Sequence, residues 1–202
     1  MFNKTCKMIK SIILQQLEEK RFLLNQQYIE RIEPDEKKKL LKTNLIKVIT
    51  GPRRAGKSVI ALQLLKEKNF AYLNFDDDLL LKQFNEVAVL QGLHQVYPGF
   101  EYLLLDEIQN LPGWELWVTK LYRRGVNMVI TGSNSRLLSH ELASSLTGRY
   151  VQMTVFPFGF VEFIRFSGQS TNVNHQAALS EKGRLLTLLD NYLCNGYFTA
   201  PL

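Results

Sequence analysis

Cysteine is scarce in this sequence, with two in 202 residues. Cys6 and Cys194 lie far apart, with no CxxC pair. That spacing supplies neither a disulfide framework nor a zinc site, and it fits a reducing cytosol. Histidine is nearly as sparse, three in all. His94, His140 and His175 are isolated, without an acid or cysteine at a spacing that suggests a site, and read as structural or surface residues. Long apolar runs are missing as well. No stretch approaches the ~20 residues of a membrane span, so no membrane partner is expected. Lys4, Lys7 and Lys10 ahead of Ile12-Ile13-Leu14 superficially resemble a signal peptide. The apolar run is too short for one, and Glu18-Glu19-Lys20 follows directly. A cytoplasmic protein is expected. The chain shows no internal repeat and no low-complexity tract.

Hydrophobic residues make up 46% of the chain, which argues against disorder. The length allows one α/β domain with a sizeable core and part of a second. The net charge is +6 and the isoelectric point about 9.3. That balance weakly favours polyanions such as nucleic acid, nucleotides or an anionic surface; the plainer reading is a mildly basic, solvated exterior.

Apolar residues at helical spacing (Ile9, Ile12, Ile13, Leu17, Leu24, Tyr28) predict a long amphipathic helix from Lys7 to Ile32. Glu33-Pro34-Asp35 breaks it. Glu36-Lys37-Lys38-Lys39 then reads as a solvated helix face or as a DNA-contacting patch. From Leu45 the texture changes to alternating strands and helices. Strands are predicted over 45–50, 70–75, 102–105, 126–131 and 150–155. Helices are predicted over 56–66, from the second strand to about 96, over 114–123 and over 136–146. Strands separated by helices imply a parallel sheet with helices on both faces, a three-layer αβα sandwich. After an aromatic turn at 156–160, a polar loop covers 167–175 and a last helix 176–194.

The strongest motif is Gly51-Pro52-Arg53-Arg54-Ala55-Gly56-Lys57-Ser58, which satisfies G-x-x-x-x-G-K-[ST] in full. Such a loop wraps a phosphate with its backbone N–H groups, and glycine at both ends permits geometry a Cβ would obstruct. The following helix offers its N-terminus to the anion. The expected nucleotide-binding set is Gly51, Pro52, Arg53, Arg54, Ala55, Gly56, Lys57, Ser58 and Val59. Lys57 brings a mobile positive charge to the outer phosphates and counts among the catalytic residues. Ser58 brings a hydroxyl ligand for Mg2+. Arg53 and Arg54 either contact phosphate or fold outward.

Tyr102-Leu103-Leu104-Leu105-Asp106-Glu107 is an apolar strand ending in two carboxylates, about fifty positions after the lysine. Downstream of a complete phosphate loop, the first acid is expected to hold Mg2+ and the second to act on the attacking water. Asp106 is therefore a candidate metal ligand and Glu107 a candidate general base. The strand at 126–131 leads into Gly132-Ser133-Asn134. If it lies between the other two, Asn134 or Ser133 meets the γ-phosphate as a sensor; either also serves as an ordinary helix N-cap. Arg149, after Leu146-Thr147-Gly148, reads as an arginine that reaches a neighbouring subunit's γ-phosphate or as a surface ion-pair residue. Trp114 and Trp117 share one helix face, as core anchors or as base-stacking groups. Asp76-Asp77-Asp78 reads as a helix N-cap, with cation binding as the alternative.

In combination, GPRRAGKS, YLNFDD, YLLLDEIQNLPGWE, VITGSNSRLLS, LTGRY and FPFGFVEF resemble the prokaryotic AAA+-type ATPases. The likeness is strongest to an archaeal and bacterial group with a separate C-terminal domain. It is close over 45–166 and looser elsewhere. The resemblance implies a five-stranded parallel sheet in the order 5-1-4-3-2. It implies the Walker A role for Gly51 to Ser58 and the Walker B role for Asp106 and Glu107. It places a sensor on the Ser133-Asn134 turn and a finger-like arginine at Arg149. Members of the group continue into the C-terminal domain through a Tyr-Leu-x-x-Gly-Gly-aromatic-Pro stretch. Tyr192 to Phe198 matches it in part, and Leu202 is the last residue. The organisation expected is an N-terminal helical segment (1–44), an ATP-binding core (45–166), and a loop and helix (167–202) leading to an absent C-terminal domain.

The function expected is ATP hydrolysis with Mg2+, driving a conformational change in a homo-oligomer. The target, DNA or protein, is expected to be engaged through the C-terminal domain. The alternatives are an ATP-gated switch with little turnover and a DNA-associated motor or loader.

Overall fold

The computed structural model describes residues 2–28, 31, 34–133, 137, 146–166 and 178–195. Its β-branched and apolar runs form β1 (Ile46–Gly51), β2 (Phe70–Asn74), β3 (Tyr102–Asp106), β4 (Asn127–Ser133) and β5 (Tyr150–Thr154). All neighbouring strands are parallel, in the order β2-β3-β4-β1-β5. Read from the other edge, this is the expected 5-1-4-3-2. Helices cover both faces, and every residue of β1 and β3 is buried. Double coverage explains why these strands are mostly apolar instead of alternating, with Lys47, Thr50 and Asp106 as their buried polar residues. The fold is the three-layer αβα sandwich.

Among the described residues the helices are α1 (Phe2–Asn25), α2 (Pro34–Lys42), α3 (Lys57–Leu65), α4 (Asp78–Gln83), α5 (Glu86–Val96), α6 (Trp114–Arg123), α7 (Phe160–Phe166) and α8 (Ala178–Asn195). A single 3-10 turn over Ile108–Asn110 follows β3. Trp114 and Trp117 are core residues of α6, at 3% and 2% exposure, which removes them as base-stacking groups. Trp117 meets Phe75 and Phe84 edge-on, with centroids 6.1 and 5.1 Å away.

Three boundaries differ from the sequence expectation. The N-terminal helix ends at Asn25, not Ile32. Beyond it the chain must carry Arg31 across to residues 55, 156 and 162. Pro34 opens α2 and is not what ends the first helix, which stops at Asn25; proline suits a first helical position, where its missing N–H would have no partner. The single helical segment expected after β2 is two helices. Phe84 turns inward to the aromatic cluster, and Asn85 caps α5 by accepting from Ala88 N at 3.0 Å. Asp77 caps α4 by accepting from Leu79 N and Leu80 N, so the aspartate run is a cap, as its plainer reading had it.

α1 buries Ile9, Ile12 and Ile13 and packs on α5 and β2. Each such side chain contributes about 1.5–3 kcal/mol. Gln16 fixes the register of that packing, accepting from Asn74 N at 3.0 Å and donating to Asn74 O at 3.1 Å. Among the described residues no helix is long and apolar enough to cross a membrane. The helix expected over 136–146 and the polar loop over 167–175 lie largely or wholly outside the described residues.

Candidate functional site

In a parallel sheet, ligands settle outside the carboxyl ends of the strands. The carboxyl ends of β1, β4 and β3 lie side by side here. β1 stops at Gly51 and α3 starts at Lys57, leaving a loop of five residues between them. At Gly51 a Cβ would lie 2.2 Å from Val155 O, so only glycine lets the chain past β5. Arg54 (φ 64°) and Gly56 (φ 89°) take left-handed backbone, the kind of alternation that turns successive N–H groups into a common concavity. The side chains of Arg53 and Arg54 are exposed, whereas Ala55 and Lys57 are buried. Val59 lies half-buried in the first turn of α3.

Lys57 is 5% exposed. Its Nζ donates to Pro52 O at 3.2 Å and pairs with Glu107 Oε1 at 3.6 Å. One residue on, Ser58 Oγ donates to Asp106 Oδ1 at 2.8 Å. Two loops far apart in sequence thus bring Lys57, Ser58, Asp106 and Glu107 together. Asp106 sits at the end of β3, 5% exposed, and also accepts from Thr131 Oγ1 on β4. Burial pushes its carboxyl up to about 6 from 3.8. The Thr131 and Ser58 hydrogen bonds oppose that rise, and the Glu107 and Asp76 charges add to it. A hydroxyl and a desolvated carboxylate converging in this way form a hard-oxygen donor pair suited to Mg2+, which takes few protein ligands when phosphates and waters complete its shell.

Glu107 follows at φ 52°. Its N–H donates to Thr131 Oγ1 at 3.0 Å, and its carboxylate accepts from Gln109 Nε2 at 2.5 Å. Thr131 therefore orders both acids, and sequence reasoning missed it. The available signal was a fully buried hydroxyl in an otherwise apolar strand. Gln109 and Arg31 were missed too. Arg31 Nη1 donates to Ala55 O at 2.7 Å, at the back of the phosphate loop. Beside it, Arg31, Ile60, Met153, Thr154 and Val155 help line a cavity of about 370 Å³.

β4 does lie between β1 and β3, and Ser133 stands opposite Gly51 in the register. Asn134 lies outside the described residues. Arg149 is not brought to the cluster. It precedes β5, and its carbonyl accepts from Ile46 N at 2.9 Å, at the opposite end of β1 from the phosphate loop. His94 is exposed and contacts Phe100. Among the described residues no group of three or more His, Cys, Asp or Glu is placed to hold a metal.

A family model described as an AAA domain matches residues 43–164. Curated relatives include the uncharacterized protein MJ1544 of Methanocaldococcus jannaschii, 32% identical over 94% of this chain and 45% of that protein. An uncharacterized protein of Haemophilus influenzae is 37% identical over 69% of this chain and 37% of its own length. The chain thus spans less than half the length of these relatives. Solved structures that resemble it include a DNA replication initiation factor, 15% identical, covering 81% of this chain and 59% of that one with a TM-score of 0.46. Another is the Walker-type ATPase paby2304 of Pyrococcus abyssi, 17% identical, covering 87% and 73% with a TM-score of 0.46.

Proposed function

The chain belongs to the AAA domain family, and from that premise we propose that it binds ATP with Mg2+ and hydrolyses it to ADP and phosphate. The observation that carries the reading is the convergence of Lys57, Ser58, Asp106 and Glu107 at the mouth of the phosphate loop. A purely structural turn gains nothing from a buried lysine facing a carboxylate beside a desolvated aspartate.

In this reading the N–H groups of the loop and of the first turn of α3, through Val59, hold the β-phosphate. Lys57 leaves Pro52 O and Glu107 to meet the outer phosphates. Ser58 and Asp106 would hold Mg2+, which would supply positive charge to offset that of the phosphates. Glu107 takes a proton from water, whose oxygen bonds to the γ-phosphorus as the bond to the bridging oxygen breaks. That electron pair leaves on ADP. The nucleoside lies in the cavity between Ile60, Arg31 and the end of β5. Ser133 or Asn134 senses the γ-phosphate. The exposed Arg53 and Arg54 side chains flank the loop without holding it. The cycle drives a conformational change in a homo-oligomer acting on DNA or a protein target.

Glu107→Gln tests the reading. It keeps the shape of the side chain and its contact with Gln109 while removing the base. ATP and Mg2+ affinity should match the parent, and turnover should fall at least ~100-fold. Unchanged turnover removes Glu107 as the base. Tight ATP binding by a parent with no turnover turns the reading to a nucleotide-gated switch.

A further inference from the structure

Gln109 lies in the 3-10 turn after Glu107 and donates through Nε2 to Glu107 Oε2 at 2.5 Å. A carboxylate can only accept, so the NH2 of the amide must face Glu107 and Oε1 must face away. That Oε1 is buried and finds no donor among the described residues. It lies against β4 at Gly132, where a Cβ would come within 2.0 Å of it. Gly132 stands between Thr131, which bonds both acids, and Ser133, which faces the phosphate loop. A glutamine bonded in this way leaves an acceptor buried without a donor among the described residues, packed closely against Gly132 of the opposite strand. Solvation alone does not account for that arrangement.

We infer that Gln109 is a positioning residue: its carboxamide sets the direction of the Glu107 carboxylate from its seat against Gly132. The backbone of Glu107 is already fixed by Thr131 Oγ1 and by the left-handed turn. The freedom left is that of the side chain. Among the described residues two partners restrain it, Lys57 on Oε1 at 3.6 Å and Gln109 on Oε2. When the phosphates draw Lys57 away, Gln109 is the partner that remains. It is neutral, so it holds the carboxylate without competing for the proton that Glu107 takes from water. The inference rests on the hydrolytic reading above.

The test compares Gln109→Ala and Gln109→Glu with the parent, each also in a Glu107→Gln background. Gln109→Glu preserves size and sets a second carboxylate against the first. The expected result is a fall in kcat on the order of 10–100-fold with KM for ATP little changed, and no further fall when Glu107 is already Gln. A merely structural role would lower kcat equally in both backgrounds, and that outcome overturns the inference. NMR gives a readout independent of turnover. The Gln109 side-chain NH2 pair, identified by its loss in Gln109→Ala, should shift in Glu107→Gln. An NH2 pair indifferent to that substitution overturns the inference. A parent without turnover removes the hydrolytic reading and this role with it. A parent that hydrolyses ATP, with kcat unchanged in Gln109→Ala, overturns this role alone.

Discussion

Arg31 and Glu162, 131 residues apart in sequence, form an ion pair of 2.8 Å at the back of the phosphate loop. The same guanidinium donates to Ala55 O at 2.7 Å and to Phe156 O at 2.8 Å, and lies 4.8 Å from the Phe158 ring. Glu162 in turn accepts from Gly159 N at 2.7 Å. The segment before α2, the phosphate loop and the turn leading into α7 are thereby joined through one side chain.

Arg31→Ala should therefore deprive two carbonyls and a carboxylate of the guanidinium, leaving Glu162 its bond from Gly159 N. Arg31 is 9% exposed in its side chain and Glu162 28%, so the loss approaches that of a buried pair, about 3–5 kcal/mol. ATP affinity should fall as well, because Ala55 O belongs to the loop. Arg31→Lys should restore little, since an ammonium cannot reproduce the planar fork. Denaturant unfolding and calorimetry check both effects. Parent-like stability and affinity in Arg31→Ala would show that the network holds nothing in place.

Lys57→Ala should weaken ATP binding ~10–100-fold, the range for a charge-assisted hydrogen bond. The fold should survive, because among the described residues Nζ makes only the 3.2 and 3.6 Å contacts to Pro52 O and Glu107. Isothermal calorimetry with ATP and Mg2+ reads this directly. Equal affinity in variant and parent would remove Lys57 from the site.

Asp106→Asn should separate stability from ligand binding. Burial raises the Asp106 carboxyl from 3.8 to about 6. Between those values the folded chain holds a proton that the unfolded chain has lost. Stability therefore falls as pH rises through that window, and the cost is complete at pH 7, on the order of 3 kcal/mol. Asparagine keeps an oxygen for Ser58 and Thr131 without the charge. The nucleotide-free variant should melt several degrees above the parent at pH 7, at ~2–4 °C per kcal/mol. It should lose the further stabilisation that MgATP gives the parent. Thermal melts with and without MgATP decide the matter; a lower melting point for the free variant contradicts the account of its burial.

The five strands and the loop between β1 and α3 were legible because each is a local pattern. An apolar run such as 102–105 or a fixed spacing such as Gly51 to Ser58 carries its own meaning. What escaped is non-local. Thr131 matters because β4 lies between β1 and β3, so its hydroxyl falls between two acids 24 and 25 positions away. Arg31 has no periodicity to mark it, and its partners lie 24, 125 and 131 residues off. The end of α1 was misjudged for the same reason. Apolar spacing continues to Tyr28, while tertiary contacts of Arg31 draw the chain out of the helix. Gln109 stands two positions after Glu107, but only the folded turn shows that its amide donates to that carboxylate.

Arg149 is expected to act on a neighbouring subunit. It stands at the start of β5, where Ile46 N donates to its carbonyl. The phosphate loop lies beyond the other end of β1, five residues further along and so ~17 Å away at the usual rise per residue. That exceeds the reach of one arginine side chain. A second copy in a ring can bring its own phosphate loop to this edge instead, and a forked, always charged guanidinium suits a γ-phosphate. An arginine supplied in trans contributes ~10³-fold or more to turnover. Complementation by mixed subunits tests the idea. Lys57→Ala subunits lack nucleotide but carry Arg149; Arg149→Ala subunits bind nucleotide but lack the arginine. Each should be nearly inactive alone, and mixing should restore part of the activity, because some sites then combine an intact loop with an intact Arg149. If native mass spectrometry shows mixed assemblies and no activity returns, Arg149 is a residue of its own subunit's structure, and the γ-phosphate of a neighbour is met by another group.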